Sequence, residues 1–198
     1  MTVPTGPAWR RLPTNDRVHP VTRWRLDPPY GRLRAVATLS ILPVTADDLP
    51  FVREMLYEAA FWRDTSGAPP IDEALDRAWL ALYVEGWGRP GDDGLIARLG
   101  GAPAGAVWVR RFDDEVHGYG YVDESTPELS IAVTQEHRGR GVGRCLLMTM
   151  MVQLRFQAVA GVSLSVEDDN PARALYEDLG FVPVKAVDGA TTMLRNLA

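Results

Sequence analysis

Residues 128–156 contain a strand, a glycine-rich turn and a helix in direct succession, and this order restricts the fold more than any other stretch. The strand is ELSIAV at 128–133 and the turn is RGRGVG at 138–143. The helix has four apolar residues on one face: Leu146, Leu147, Met150 and Leu154. A second strand, VSLSV at 162–166, follows. Because strands joined by a crossover helix lie parallel in one sheet, the sequence predicts a central parallel βαβ unit.

Further strands and helices surround this unit and predict a mixed α/β fold. A strand at 38–42 precedes a helix that opens with a Thr45–Asp48 capping box. The next helix has one apolar face, formed by Ile71, Leu75, Ala78, Trp79 and Leu82. Antiparallel strands at 94–110 and a hairpin with an Asp188-Gly189 turn are also predicted. This order predicts a twisted mixed sheet of six to seven strands flanked by about four helices.

The first 37 residues differ from the rest and are expected to lie outside the folded domain. They contain six prolines and seven arginines without periodicity, and prolines at this density interrupt helices and central strands. Residues 1–37 are expected to form a surface arm or a poorly ordered tail, with a basic arm for an anionic partner as the alternative. Residues 38–198 are expected to form a single domain.

The composition is typical of a soluble globular protein and argues against several classes of function. Of the 198 residues, 46% are hydrophobic and 24% charged. A net charge of −5 disfavours nucleic acid as the main partner, and no apolar run reaches the roughly 20 residues that span a bilayer. Since Cys145 is the single cysteine and no apolar leader follows Arg10 and Arg11, we expect a cytoplasmic location.

The glycine-rich turn is a candidate phosphate-binding loop. Its glycines allow backbone N–H groups to face one point, and the helix beginning there adds unpaired N–H groups and a positive dipole end. Three arginines add positive charge: Arg138, Arg140 and Arg144. A tight turn without a ligand is the alternative. A Walker loop needs lysine and Ser/Thr after the last glycine, and a dinucleotide fingerprint needs glycine or alanine at position 144, so Arg144-Cys145 fits neither.

Two motifs in the second half of the chain fit the pattern of one family. Arg138, Gly141 and Gly143 match the pattern (Gln/Arg)-x-x-Gly-x-(Gly/Ala), and NPARALYEDLGF at 170–181 matches the second signature of that family. The chain therefore resembles the GNAT superfamily of N-acetyltransferases, in element order over about residues 38–195 and specifically over 128–183. The resemblance implies a GNAT-type fold and an enzyme that uses acetyl-CoA as co-substrate.

The resemblance also implies how acetyl-CoA binds. The pantetheine arm would pair with the backbone of 131–133, where the two parallel strands separate, and the pyrophosphate would lie on the N–H groups of 138–144. A backbone N–H near Val133 would polarise the thioester carbonyl, and Asn170 would contact the pantetheine or fix its loop. The implied cofactor-binding residues are Ile131, Ala132, Val133, Arg138, Gly139, Arg140, Gly141, Val142, Gly143, Arg144, Asn170 and Tyr176.

The implied chemistry requires two proton transfers. An amine with a pKa near 10 must lose a proton before it attacks, and the CoA thiolate, with a pKa of about 8.5, gains one as it leaves. We expect Tyr176 to supply the second proton, with a core aromatic role as the alternative. For the base we favour Glu128, with an ordinary strand-edge carboxylate as the alternative. Three carboxylates are substitutes: Glu124, Asp123 and Glu167.

The acceptor is expected to be a primary amine on a small molecule or a peptide. Its pocket would use the aromatic side chains Phe61, Trp62, Tyr83 and Trp87, unless half of them are core. Acidic residues at 113–115 and 123–124 would attract a cation, unless they form a solvated loop. A non-catalytic CoA-binding or regulatory module and a protein N-terminal or lysine acetyltransferase are the alternatives. The acceptor and the oligomeric state, a homodimer included, are left open.

Cys145 and the histidines are not expected to take part in the chemistry. No motif links a histidine to Cys145, so we expect a buried and inert thiol. His19, His117 and His137 do not have the spacing of metal ligands, and we expect no metal.

Overall fold

Seven strands form one sheet in the order β1-β2-β3-β4-β5-β7-β6. The structure, a computed structural model, describes residues 38–63 and 67–198, so the expectations for residues 1–37 lie outside it. The strands are β1 (Leu39–Pro43), β2 (Asp93–Leu99), β3 (Ala102–Arg110), β4 (Glu128–Val133), β5 (Gly161–Glu167), β6 (Val182–Val187) and β7 (Ala190–Asn196). Only β4 and β5 pair in parallel, and the other neighbours are antiparallel. The predicted mixed sheet with its parallel βαβ unit is confirmed.

In the described part of the chain, five α-helices cover the two faces of the sheet. They are α1 (Leu49–Ala60), α2 (Ile71–Leu75), α3 (Ala78–Ala81), α4 (Val142–Phe156) and α5 (Ala172–Asp178). Strand β3 shows the two layers, because its side chains alternate between two buried clusters. Trp108 packs with α1, α2 and α3, whereas Val107 and Val109 pack with α4 and α5. Within the described residues, no helix has the length and apolar character needed to cross a membrane.

The prediction of one continuous helix after Pro70 is wrong. The chain forms α2 and α3 with a break at Arg77, whose ψ of 126° is extended. Trp79, expected on the apolar face, is 39% exposed, whereas Leu80 and Tyr83 are buried. Tertiary packing overrides the helical periodicity here, because the break allows both short helices to bury side chains in the same cluster.

Helix α4 is fixed at both ends. It follows Gly141, whose φ of 82° lies in the left-handed region that favours glycine. The predicted inner face is confirmed, since Leu146, Leu147, Met150 and Leu154 are all buried. The helix ends in a Schellman turn, in which Ala158 has a φ of 57° and the Val159 N–H donates to the Leu154 carbonyl at 3.0 Å. The first turn of α4 is thereby held beside the carboxyl end of β4.

Two local predictions are also confirmed. The Thr45 N–H donates to Asp48 Oδ2 at 3.0 Å, which is half of the capping box at the start of the first helical segment. Asp188 and Gly189 have φ values of 49° and 79° and connect β6 to β7. Positive φ at both central residues is the requirement of a type I′ hairpin turn.

Candidate active site

Strands β4 and β5 separate as soon as they have met. Glu128 and Ser163 are their single register pair, whereas β3 and β4 share six. From Leu129 onward, no strand of residues 38–63 or 67–198 lies beside the edge of β4 that faces β5. A free strand edge offers backbone N–H and C=O groups to an extended ligand. The expected separation of the two strands is present.

A cleft of about 560 Å³ occupies this opening and reaches the first turn of α4. Of the predicted cofactor-binding residues, the following line it: Ile131, Ala132, Val133, Arg138, Gly139, Gly141, Val142, Gly143, Arg144, Asn170 and Tyr176. Arg140, also predicted to bind the cofactor, and Glu128, predicted to be the base, do not line the cleft. Helix α1 and its end add Glu58, Ala59 and Trp62. The volume lies within the range of small-molecule binding sites.

The turn before α4 lines the cleft and leaves backbone N–H groups without partners in the helix. Gly139 and Gly141 have φ values of 70° and 82°, which other residues rarely adopt. The first hydrogen bond of α4 is donated by the Cys145 N–H to the Gly141 carbonyl at 3.1 Å. The three preceding N–H groups therefore have no partner within the helix. Together with the positive end of the helix dipole, they have the arrangement that binds an anion at a helix start.

The arginines of this turn are less available to an anion than the sequence suggested. Arg138 donates through Nε to the Val133 carbonyl at 3.1 Å and through a terminal nitrogen to Glu58 at 2.7 Å. Arg144 donates to Asp178 at 2.7 Å. Carboxylates thus pair with both guanidinium groups, and Arg140 does not line the cleft, so the turn offers the cleft mainly backbone N–H groups. The Arg138–Glu58 pair also ties α1 to the turn.

Asn170 fixes the loop between β5 and α5. Its Oδ1 accepts from the Ala172 N–H at 2.9 Å, and its own N–H donates to the Glu167 carbonyl at 3.0 Å. This is an Asx-type turn that satisfies a free N–H group at the start of α5. The loop is held open at the wall of the cleft, so that α5 presents Tyr176 to it.

Tyr176 lies at the inner wall of the cleft and is 8% exposed. Burial raises the pKa of its phenol to about 12, because the phenolate would lose its hydration. Its ring packs edge-on against Phe181 with centroids 5.9 Å apart. Because of this raised pKa, the hydroxyl is neutral near pH 7. The described residues offer it no hydrogen-bond partner, so it is free to donate to a group in the cleft.

Glu128 is 4% exposed and lies under residues 118–120 on the face that α1 to α3 cover. Its Oε1 accepts from the Gly120 N–H at 2.8 Å and from the Tyr83 hydroxyl at 2.9 Å. Its Oε2 is buried and has no partner among the described residues. Burial raises the pKa of Glu128 to about 7, against the opposing effects of these two hydrogen bonds and of His117. A carboxyl group with this pKa is suited to general base catalysis near neutral pH.

The substitutes for this base are engaged elsewhere or exposed. Asp123 accepts from Ser125 and Thr126, and the Ser125 hydrogen bond in particular lowers the pKa of its carboxyl. Glu167 accepts from the Trp62 indole N–H at 2.6 Å and from Arg63. Glu124 is exposed in its loop.

The aromatic residues assigned to an acceptor pocket have different positions. Trp62 lines the cleft, and Tyr83 is buried beside Glu128. Phe61 and Trp87 are partly buried against the core cluster beneath α1 to α3. The acidic loop uses its carboxylates to hold its own turns: Asp113 accepts from two backbone N–H groups and Asp114 from the Tyr121 hydroxyl at 2.6 Å.

Three contacts of the site could not be found from local sequence patterns. They join Tyr83 to Glu128, Glu58 to Arg138 and Trp62 to Glu167. Each links residues at least 45 positions apart. A weak signal for the first is the pattern Gly118-Tyr-Gly120 in a polar loop, because paired glycines often mark a close approach of the backbone to another group.

Cys145 and the two described histidines have different positions relative to the site, and His117 is close enough to Glu128 to lower its pKa. The thiol is partly buried in α4, and burial raises its pKa. His137 lines the cleft, where its Nδ1 lies 2.7 Å from the Thr134 hydroxyl. Within residues 38–63 and 67–198, no three metal-binding side chains converge.

Comparison with known proteins gives partial sequence matches and a shared fold. The mycothiol acetyltransferase of Corynebacterium glutamicum (strain R) is 37% identical over 126 residues, which cover 57% of this chain and 43% of that protein. The [ribosomal protein bS18]-alanine N-acetyltransferase of Haemophilus influenzae is 38% identical over 60 residues, covering 30% of this chain and 40% of that protein. The chain thus spans less than half the length of these two curated relatives.

A solved structure and a family model agree with the architecture. The structure of yncA from Salmonella typhimurium with its cofactor acetyl-CoA has a TM-score of 0.59 at 22% identity, covering 81% of this chain and 94% of that one. Residues 52–181 match the model of the Acetyltransferase (GNAT) family, and this range includes the free edge of β4, the glycine-rich turn and α5. The chain therefore belongs to the GNAT family of acetyltransferases.

Proposed function

We propose that the protein transfers an acetyl group from acetyl-CoA to a primary amine by direct attack of the amine. The observation that supports this most is the meeting of three features at one cleft. These are the free edge of β4, the unpaired N–H groups at the start of α4 and the neutral hydroxyl of Tyr176. They match the amides, the pyrophosphate and the leaving sulfur of the donor.

The donor would be held chiefly by backbone groups. The pantetheine amides would pair with residues 131–133, and the pyrophosphate would lie on the N–H groups between Gly139 and Arg144. A backbone N–H near Val133 would stabilise the oxyanion that forms on the thioester carbonyl. Asn170, whose side-chain oxygen already accepts from Ala172, has its amide NH2 group left to donate to the pantetheine.

The reaction would form one bond and break one. The amine nitrogen attacks the thioester carbonyl, the new C–N bond forms, and the C–S bond breaks. The proton released by the amine passes to Oε2 of Glu128, by way of a water molecule because Gly118 covers this oxygen. The thiolate receives a proton from Tyr176, the phenol regains one from water, and Glu128 releases its proton to solvent.

We propose a small-molecule amine, neutral or cationic, as the acceptor. The support for a small molecule is the length of the match to mycothiol acetyltransferases, which is about twice that of the match to the ribosomal protein enzyme. The acidic residues at 113–115 and 123–124 favour a cation over an anion, even though several of them hold turns. A peptide N-terminus is the second candidate, and the Haemophilus influenzae relative supports it.

A panel of small amines and peptides, followed by release of free CoA thiol, tests the proposal. We expect turnover with at least one amine, and we expect Glu128→Gln to lose most of it while still binding acetyl-CoA. A thermal melt measures binding separately, since a ligand at 100 times its Kd stabilises the native state by about 2.7 kcal/mol. Stabilisation by acetyl-CoA without thiol release from any acceptor would support the non-catalytic alternative.

A further inference from the structure

The Tyr83 hydroxyl is oriented by two partners of opposite type. The Tyr119 N–H lies 2.9 Å from it and can only donate, so the hydroxyl oxygen accepts there. The hydroxyl hydrogen is then available for Oε1 of Glu128, also at 2.9 Å. Because the Gly120 N–H donates to the same oxygen, Oε1 accepts two hydrogen bonds. The carboxylate therefore has one saturated oxygen and one, Oε2, that is free to take a proton.

Two glycines close this arrangement around the carboxylate. A Cβ atom on Gly118 would overlap with both the Tyr83 hydroxyl and Oε2 of Glu128. A Cβ on Gly120 would lie 2.7 Å from the backbone of Leu164 and 2.9 Å from the carboxyl carbon of Glu128. Any other residue at either position would displace the loop or the carboxylate.

We propose that Tyr83 is a positioning residue, which fixes the orientation of Glu128 and sets the pH at which this carboxylate accepts a proton. The proposal rests on the assignment of Glu128 as the base in the proposed function. A hydrogen bond from a hydroxyl stabilises the ionised form of a carboxylate. The pKa of Glu128, which burial raises to about 7, would therefore be higher still without Tyr83.

Few other charged groups face this carboxylate. From the covering loop, the His117 ring lowers the pKa of Glu128, and Tyr119 reaches it only through Tyr83. From β3, Arg110 is the register partner of Glu128, but its guanidinium is bonded to Asp92 and to two backbone carbonyls. From β5, the register partner is the uncharged Ser163. Tyr83 is thus the main side chain through which the titration can be altered.

The test compares Tyr83→Phe with a matched control, Tyr57→Phe, in the full chain. Tyr57 also donates its hydroxyl to one acceptor, the Pro69 carbonyl at 2.9 Å, but lies away from Glu128. The midpoint of Glu128 is followed by carbon-13 NMR of labelled glutamate, with Glu128→Gln as the assignment. From the strength of hydrogen bonds to charged groups, we expect Tyr83→Phe to raise this midpoint by about one to two pH units. The control should leave it unchanged.

The second readout is the pH dependence of kcat/KM. Its acid limb should move upward by the same amount, so that activity at pH 7 falls by about 5- to 50-fold and recovers at higher pH. The KM for acetyl-CoA should not change. As a variant that keeps the hydroxyl, 3-fluorotyrosine at position 83 is a stronger donor and should move both quantities downward.

The two readouts separate failure of this inference from failure of the proposed function. An unmoved NMR midpoint in both Tyr83→Phe and the fluorotyrosine variant would overturn the role of Tyr83. A midpoint that moves while the acid limb stays in place would support Tyr83 as the residue that controls the carboxylate. The same result would overturn Glu128 as the base.

Discussion

Replacing Tyr176 with phenylalanine removes the hydroxyl that is proposed to protonate the CoA thiolate. The ring is 8% exposed and packs against Phe181, and the phenylalanine ring fills the same space. No described residue bonds to the hydroxyl, so its loss leaves no buried partner unsatisfied. Folding and acetyl-CoA binding should survive, and the effect should fall on kcat.

The size of the effect follows from two pKa values. The phenol of Tyr176 has a pKa of about 12, whereas a thiol of the CoA type has one of about 8.5. Complete transfer of the proton to a free thiolate would thus be uphill by about 3.5 units. The main contribution of Tyr176 to the rate is therefore the hydrogen bond that its hydroxyl donates to the sulfur as charge develops, and the proton follows only as the phenol regains one from water. A bond to a charged group contributes about 1.5–3 kcal/mol, so kcat should fall by about 10- to 150-fold.

The pH profile checks the same reasoning. Because the phenol is protonated below its raised pKa, the alkaline side of the wild-type kcat profile should stay flat through pH 10 and fall only near 12. The assay is continuous thiol release at saturating substrates, with Tyr57→Phe as control. A Phe variant with wild-type kcat would make Tyr176 a packing residue. A wild-type fall centred near pH 10 that the Phe variant lacks would show that burial does not protect the phenol.

Further predictions concern the turn, Glu128, the arm and the acceptor. Gly141→Asp should abolish stabilisation by acetyl-CoA in a thermal melt, because it adds a negative charge beside the pyrophosphate; Gly101→Asp, also at positive φ in open space, should not. The pKa of Glu128 is raised from 4.5 to about 7, so between these pH values the folded state holds a proton that the unfolded state has lost. As the pH rises from 4.5 to 7, the unfolding free energy should therefore fall by up to about 3 kcal/mol more in the wild type than in Glu128→Gln, measured by denaturant titration. Removing residues 1–37 should leave acetyl-CoA binding intact, and loss of soluble protein would place them in the folded domain. Cationic amines should be preferred and their kcat/KM should decrease with salt, whereas preferential turnover of a dicarboxylic amino acid would contradict this.

The sequence was sufficient where local pattern determines structure. The strand at 128–133, the inner face of α4 and the Asp188-Gly189 turn all follow from periodicity or from backbone preference. These features depend on residues that are close to one another in the chain. The separation of β4 and β5, and the cleft it opens, was implied by the resemblance to the GNAT superfamily and not by local pattern.

Long-range packing accounts for what the sequence did not predict. The break at Arg77 arises because two short helices fit the cluster below them better than one long helix, and no periodicity reports that fit. The guanidinium of Arg138 pairs with Glu58, 80 residues away, so its charge is not free for an anion. The pKa of Glu128 depends on burial under a loop that has no regular structure.

In terms of hydrogen bonding the sheet is two sheets, one of four strands and one of three, joined at the single pair Glu128–Ser163. Other hydrogen bonds also cross this seam between the two halves. Thr192 on β7 donates to the Tyr119 carbonyl, and Trp62, beyond the end of α1, donates to Glu167 on β5. A donor that pairs with the free edge of β4 would take the place of a missing strand. The affinity for acetyl-CoA would then depend on how firmly the four-strand half is attached to the three-strand half. A change in the loop over Glu128, which helps to join the halves, would alter both.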